Sequence, residues 1–277
     1  MRQIETYRFL EDEKELKWFY DHAVFPLSKN EEYCFAMAAR GKRLDPETRA
    51  KYDLGRAEML NVQVVSPRRE DALSFDLFKR GILRFEVNKE AFLTHSNLPY
   101  PEETLVCYFY INPCDSIKVM SSLNKKITDL NEEFVHSACN SSIGGIEDTI
   151  DKTKAMLHKV NRMYPTCPSH KHLLDFDMDL EDTADREFVV QLLKQEFSQK
   201  FNKGRYFIVK TSGGFHILIF AEDLKFNPNE FTARVEAMVG KEFCKEFVLN
   251  KNGFIPCPGT LQYGNLVRVL NKEDFDE

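Results

Sequence analysis

Three aspartates alternate with apolar residues at positions 173–179, which read LLDFDMD. Successive side chains of a β-strand point to opposite faces, so Asp175, Asp177 and Asp179 are expected to project from one face. Like charges placed this close are unfavourable unless a cation lies between them. Because Mg²⁺ and Mn²⁺ take carboxylate and phosphate oxygens, the pattern predicts a metal site. The alternative is a solvent-facing strand whose aspartates keep a sheet edge soluble.

A glycine-rich turn at positions 210–216, KTSGGFH, separates two apolar runs. Glycines let the backbone approach a ligand closely and point N–H groups at it. A lysine, two hydroxyls and a histidine accompany them, which makes the turn suited to hold a triphosphate. The candidate nucleotide-binding residues here are Lys210, Thr211, Ser212, Gly213 and His216. The alternative is an ordinary hairpin in which the glycines satisfy the turn geometry and His216 packs in a pocket.

The elements that position these residues follow from hydrophobic patterning. Strands are predicted at 172–178, 205–210, 215–220, 246–249 and 266–270, and helices at 184–201 and 228–245. The order β-α-β-β-α-β is that of a ferredoxin-like or RNA-recognition-motif-like module. In such a sheet the aspartate strand and the glycine-rich turn become neighbours. Carboxylates beside a triphosphate cradle are what phosphoryl or nucleotidyl transfer requires.

The first half of the chain predicts a second α/β module. Strands are expected at 82–87 and 105–111, followed by a helix at 115–135. The predicted fold class is therefore α+β (α/β), with an N-terminal α/β module at 1–165 that offers a possible template-binding surface and an RNA-recognition-motif-like catalytic module at 166–277. We expect the boundary to be a cleft within one enzyme.

These segments resemble the motifs of the archaeo-eukaryotic primase superfamily, whose fold is the primase-polymerase fold. Its first motif has two acidic residues one apart on a strand, here Asp175 and Asp177. Its second has Ser or Thr, a short gap and His, here Ser212 and His216. Its third is an acidic residue that ends a later strand, a place that Asn250 occupies here. The resemblance covers residues 165–270 at the level of motifs.

The resemblance implies a DNA primase, a nucleotidyltransferase that makes primers on single-stranded DNA during replication from nucleoside triphosphates. Asp175 and Asp177 would then be catalytic and hold two Mg²⁺ or Mn²⁺ ions, with Asp179 as a further metal ligand. Arg268, on the last predicted strand, would add a second cation for the triphosphate. Because Asn250 is not a carboxylate, the alternative is a catalytically weakened, primase-like replication accessory protein that binds nucleic acid or nucleotide.

The net charge of −6 over 277 residues excludes a wholly basic protein that coats nucleic acid, but it leaves room for a local basic groove. Positive charge gathers at positions 40–56, where a solvated helical face is the alternative to a template-binding surface. The candidate DNA-binding residues are Arg40, Lys42, Arg43, Arg49 and Lys51.

The seven cysteines are odd in number and form no C-x-x-C pair, which favours reduced thiols in an intracellular, cytoplasmic compartment. The nucleoid or a host cell is the alternative if the protein is encoded by a virus or a plasmid. The lack of a paired-cysteine knuckle argues against zinc. No apolar run approaches the ~18 residues that span a bilayer, so no membrane partner is expected. The sequence carries no Walker P-loop, so a helicase partner would be a separate polypeptide.

Overall fold

The computed structural model describes residues 5–42, 44–66, 73–140, 143–157, 160–225 and 227–275. The fold is mixed α/β with antiparallel sheets, which confirms the predicted class at that level. The helices are α1 (Glu13–Ala23), α2 (Pro46–Lys51), α3 (Phe75–Leu83), α4 (Ser116–Cys139), α5 (Ile143–Leu157), α6 (Arg186–Lys200) and α7 (Pro228–Val239). The strands are β1 (Glu31–Ala39), β2 (Glu58–Val65), β3 (Leu105–Tyr110), β4 (Cys114–Asp115), β5 (Leu173–Leu180), β6 (Tyr206–Lys210), β7 (Gly214–Phe220), β8 (Cys244–Leu249), β9 (Phe254–Pro256), β10 (Leu261–Gln262), β11 (Asn265–Leu266) and β12 (Arg268–Val269).

The C-terminal sheet has the strand order β12-β6-β7-β5-β8, and every pair in it is antiparallel. Along the chain, β5, α6, β6, β7, α7 and β8 follow in the predicted β-α-β-β-α-β order, and β5 lies between β7 and β8 in the sheet. Phe176 and Met178 of β5 pack with Val189 of α6 and Phe231 of α7 in one buried apolar cluster. The opposite face of β5 is therefore left for the aspartates.

The N-terminal sheet has the order β2-β1-β3-β9, so a strand from the second half of the chain, β9, completes it. One apolar cluster joins the two sheets, because Phe35 and Phe109 of the first share it with Phe207 and Leu218 of the second. The division near residue 165 stays a prediction, and the shared cluster is consistent with two modules that pack around a common core.

Three predicted elements differ from the structure. The strand expected at 266–270 is divided into β11, which pairs with β10, and β12, which pairs with β6. The strand expected at 82–87 is not formed, because Ile82 lies in α3 and faces the core with Phe78 one turn earlier. The Ser74 side chain caps α3 by accepting a hydrogen bond from the Leu77 N–H. The helix expected at 228–245 ends at Val239, because Gly240 follows with a φ of +89°, a backbone conformation that glycine adopts readily.

Among the described helices, none has the length and apolar character needed to cross a lipid bilayer.

Candidate active site

The three aspartates of β5 lie on the face turned away from α6 and α7, as their alternation predicts, but they differ sharply in depth. The side chain of Asp175 has no exposed surface, whereas those of Asp177 and Asp179 are 41% and 43% exposed. His216 of β7 lies directly opposite Asp177 in the strand register. The two motifs therefore meet on one face of the sheet.

Asp175 is held by two side chains that come from the segments on either side of β5. The Nδ1 atom of His216 lies 2.9 and 3.1 Å from the two carboxylate oxygens of Asp175. The Nδ2 amide of Asn250, which follows β8, donates to Oδ2 of Asp175 at 2.6 Å. Asn250 thus contacts the site through its Nδ2 group, as a hydrogen-bond donor to the carboxylate of Asp175.

Two adjoining cavities lie beside these residues. The larger has a volume of about 870 Å³ and the smaller about 70 Å³. Arg40, Asp177 and His216 line both, so the cavities meet at these side chains. Asp179 lines the smaller cavity, while Asp175 lines neither. A ligand in the cavities therefore meets Asp177, Asp179 and His216 before it meets Asp175.

The charges of the site are strongly coupled. Burial disfavours the charged ring of His216, but the Asp175 carboxylate and its hydrogen bond outweigh burial and raise the pKa of His216 to about 9. Burial also raises the pKa of Asp177, and the charge of His216 opposes this rise. His216 is consequently a cation at neutral pH, and it presents Nε2 at 3.7 Å from Oδ1 of Asp177.

This pairing predicts a pH-dependent stability. A group whose pKa is higher in the folded than in the unfolded state stabilises the fold fully below its unfolded pKa. The His216 contribution is therefore complete below pH 6.5 and is lost as the pH rises through about 9. In denaturant unfolding, we expect the stability difference between wild type and His216→Gln to shrink by on the order of 3 kcal/mol from pH 6 to pH 10. A difference that stays constant over this range would contradict the ion pair.

The glycine-rich turn forms the wall of the smaller cavity through Thr211, Ser212 and Gly213. Both the backbone N–H and the hydroxyl of Ser212 donate to Oε1 of Gln262, at 2.9 and 3.0 Å. The Arg186 guanidinium donates to the carbonyl oxygen of Ser212 at 2.8 Å. The turn is thus built into the fold by Gln262 and Arg186, two residues that the sequence patterns do not single out.

Two predicted nucleotide-binding residues lie away from the cavities. Residues two positions apart on a strand share a face, so Lys210 of β6 lies on the same face as Ile208. Ile208 packs under α6 and α7, which makes this the helix-covered face of the sheet. Arg268 of β12 pairs with Lys210 in the strand register and is exposed. Neither residue lines the two cavities.

The candidate DNA-binding residues separate into two groups. Arg40 reaches the site from the end of β1, and its Nη1 donates to the hydroxyl of Tyr108 at 2.7 Å. Its Nε is buried and has no hydrogen-bond partner among the described residues. Lys42 also lines the smaller cavity, with Nζ 3.8 Å from Asp179. Arg49 and Lys51 lie on α2 and line neither cavity. Arg43 lies outside the described residues.

The larger cavity brings in basic residues that sequence patterning misses. Arg162, Lys171 and Lys251 line it together with Arg40, against the carboxylates of Glu58 and Asp177. Its wall also includes three aromatic side chains, Tyr108, Tyr110 and Phe254. The cations come from segments distant in sequence, so no local cluster of charge marks them. The cavity is net positive and partly aromatic, which suits an anionic ligand that carries a ring.

Asp177 and Asp179 supply the oxygen donors that a divalent cation prefers. They stand at alternate positions of one strand and line one small cavity. Within the described part of the chain, no group of three or more His, Cys, Asp or Glu side chains is placed to hold a metal ion by itself. Mg²⁺ is commonly bound by one or two carboxylates together with substrate phosphates. The donor set therefore fits a cation that arrives with a phosphate-bearing ligand.

Comparison of the chain with protein-family models, with curated proteins and with solved structures gives no match. The chemistry of the site residues is therefore the basis for a functional assignment. Two half-exposed carboxylates, a histidine cation and a partly buried arginine converge on one cavity. This combination can hold a polyphosphate and a divalent cation together.

Proposed function

We propose that the protein is a primase-polymerase, a nucleotidyltransferase that makes primers by template-directed synthesis on single-stranded DNA during replication. One observation carries the proposal: Asp177, Asp179, His216 and Arg40 line a single small cavity that opens into a larger one. Paired carboxylates beside cationic donors are the arrangement that nucleotidyl transfer needs. The β-α-β-β-α-β order and the motif resemblance support the same assignment.

Asp177 and Asp179 would hold the divalent cation, Mg²⁺ or Mn²⁺. When bound, the cation supplies activation of the primer 3′-hydroxyl and neutralises charge on the leaving pyrophosphate. His216 and Arg40 act on the triphosphate itself, since both present N–H groups to the cavity. The buried Nε of Arg40 has no hydrogen-bond partner among the described residues, so a phosphate oxygen that reaches it would supply the missing acceptor. The wall of Thr211, Ser212 and Gly213 closes the site on the side of the hairpin.

The larger cavity provides the place for the nucleic acid. Aromatic rings stack on bases, and lysine and arginine contact phosphates without reading sequence. Tyr110 and Phe254 lie in its wall, and Lys171 and Lys251 are exposed residues that line it. These lysines take part in no ion pair among the described residues. The template is therefore assigned to this groove, which includes Arg40 of the predicted basic patch.

This assignment predicts which lysines set the salt dependence of DNA binding. Removing one phosphate-binding cation from a complex with single-stranded DNA flattens the plot of log affinity against log salt by about 0.7. Replacing Lys171 and Lys251 together by alanine should reduce the slope by ~1.4 in fluorescence anisotropy with a labelled oligonucleotide. The paired replacements Arg49→Ala and Lys51→Ala, which remove the same charge from α2, should leave the slope unchanged. The reverse outcome would place the template on α2.

A second candidate function rests on Asn250. Because residue 250 is an asparagine, it supplies no carboxylate at the position where the resembled family has one. Its amide donates a hydrogen bond to Asp175 instead. A nucleotide-binding or nucleic-acid-binding replication accessory protein would keep the same cavity without turnover. This candidate predicts binding of triphosphate and single-stranded DNA with no synthesis.

The test of the proposal is incorporation of labelled nucleotide on a primed and on an unprimed single-stranded template, with Mg²⁺ or Mn²⁺. The proposal predicts extended products that require the template and a divalent cation. Binding of both ligands without incorporation would establish the accessory function instead.

A further inference from the structure

On one side of His216 lies a chain of hydrogen bonds that runs from a half-buried asparagine through a buried carboxylate to the ring. Asn250 also lines the larger cavity, but the hydrogen bonds of its amide are made within the protein. Asn250 donates to Asp175, and Asp175 in turn accepts from Nδ1 of His216. Asp175 is completely buried, and its carboxylate lines neither cavity. A buried carboxylate that contacts a substrate-facing histidine from the rear acts on that ring's orientation.

The orientation of the ring follows from the donors. An ionised carboxylate only accepts hydrogen bonds, so Nδ1 of His216 must carry the proton that points at Asp175. Nδ1 lies 2.9 and 3.1 Å from the two oxygens, which locks the plane of the ring between them. Nε2 is consequently turned away from Asp175, towards Oδ1 of Asp177 at 3.7 Å and the junction of the two cavities.

The amide of Asn250 is equally constrained. Its Nδ2 donates both to Asp175 and to the backbone carbonyl of Phe254, at 2.6 and 3.2 Å. Its Oδ1 accepts from the backbone N–H of Asn252 at 3.1 Å. All three contacts require the same amide orientation, with the donor group facing Asp175. A carboxylate at position 250 would instead oppose the Asp175 carboxylate, oxygen to oxygen.

We propose that Asp175 and Asn250 are positioning residues, which hold the His216 ring so that Nε2 faces an oxygen of the bound polyphosphate. Asn250 is then part of the rear support of His216, and the cation is left to Asp177 and Asp179. This inference rests on the proposed function only for the identity of the ligand as a triphosphate. It does not depend on whether nucleotide transfer follows binding.

A double-mutant cycle on binding of inorganic triphosphate, measured by calorimetry with Mg²⁺ present, tests the proposal. Loss of the partner that orients a metal-ligating histidine costs about tenfold or more in metal affinity or activity, and we expect an effect at the lower end of that range for a histidine that binds phosphate. We expect Asn250→Ala to weaken binding about tenfold in the wild-type background and to have no further effect when His216→Ala is already present. Asn131→Ala, the same replacement on the exposed surface of α4, is the matched control and should leave the affinity unchanged.

Asn250→Asp provides the second arm, because it is nearly isosteric and so separates the effect of charge from the effect of a missing side chain. The proposal predicts weaker binding, since two carboxylates would face each other. Tighter, cation-dependent binding by Asn250→Asp would make position 250 a metal-ligand position and overturn the proposal.

The remaining outcomes are equally decisive. If Asn250→Ala weakens binding by the same factor with and without His216, Asn250 acts on the ligand directly or on the fold alone, and the proposal is wrong while the proposed function stands. If the wild type binds no triphosphate, both are wrong. If binding follows the predicted cycle but incorporation is absent, the positioning role stands and the transferase assignment is wrong.

Discussion

Replacing Asp177 or Asp179 by asparagine is expected to lower the rate of nucleotide incorporation about a thousandfold. A divalent cation stabilises the charge of the transition state by several kcal/mol, and each ~1.4 kcal/mol is a factor of ten in rate. Asparagine keeps the size of the side chain but removes the charge that would hold the cation. Both side chains are more than two-fifths exposed, so the fold should survive the change. Single-turnover incorporation at saturating nucleotide measures the effect.

Asp182→Asn is the matched control, because Asp182 is fully exposed just beyond β5 and pairs only with Lys245 at 3.6 Å among the described residues. Its incorporation rate should equal that of the wild type. Asp175→Asn is expected to act through His216. Its effect on the affinity for triphosphate should therefore be larger than its effect on how the incorporation rate depends on cation concentration. The account would be contradicted if Asp175→Asn alone abolished the response to Mg²⁺ while Asp177→Asn kept it.

The second large effect concerns Gly214, which begins β7 at the end of the glycine-rich turn. A Cβ at this position would lie 1.8 Å from the backbone carbonyl oxygen of Met178 in β5. The two strands pair through this segment, so the clash cannot be relieved by rotating a side chain. Gly214→Ala should lower the free energy of unfolding by about 3 kcal/mol or more, measured by denaturant titration.

Gly144→Ala is the control for this change, because a Cβ at Gly144 in α5 meets no atom within 4 Å. Alanine in an exposed helix should leave stability unchanged or raise it by up to about 1 kcal/mol. Equal stabilities for the two alanine variants would show that β5 and β7 are not packed as described. The sequence offers two roles for the glycines, close approach to a ligand and hairpin geometry, and the structure adds another at Gly214, the close approach of two strands.

Local patterns predict much of the fold. The alternation in 173–179 and the apolar runs on either side of the glycine-rich turn give β5, β6 and β7, because a period of two is a property of the strand itself. The strand expected at 82–87 is wrong because a short apolar pattern can fit either a strand or a helix. Its apolar residues also fit the last turn of a helix, and the cap at Ser74 and the packing of Phe78 and Ile82 favour α3.

The site is less predictable, because its decisive contacts join residues far apart in the chain. Alternation places Asp175, Asp177 and Asp179 on one face, but it cannot tell which of them is buried. The buried Asp175 contacts Asn250, 75 positions away, and His216, 41 positions away. The expected sheet makes β5 and the glycine-rich turn neighbours, but it does not single out these two contacts. Arg40 arrives from a strand of the other sheet. Such encounters are set by topology and not by any local spacing.

The most direct measurement of the central claim is the identity of the nucleotide that the wild type adds opposite each of the four templating bases. Primed templates that differ only in that base would be given all four nucleotides with Mg²⁺ or Mn²⁺. The account predicts that the complementary nucleotide is added in each case, and that addition stops when the cation is chelated. Binding of triphosphate and DNA with no addition, or addition that ignores the templating base, would contradict it.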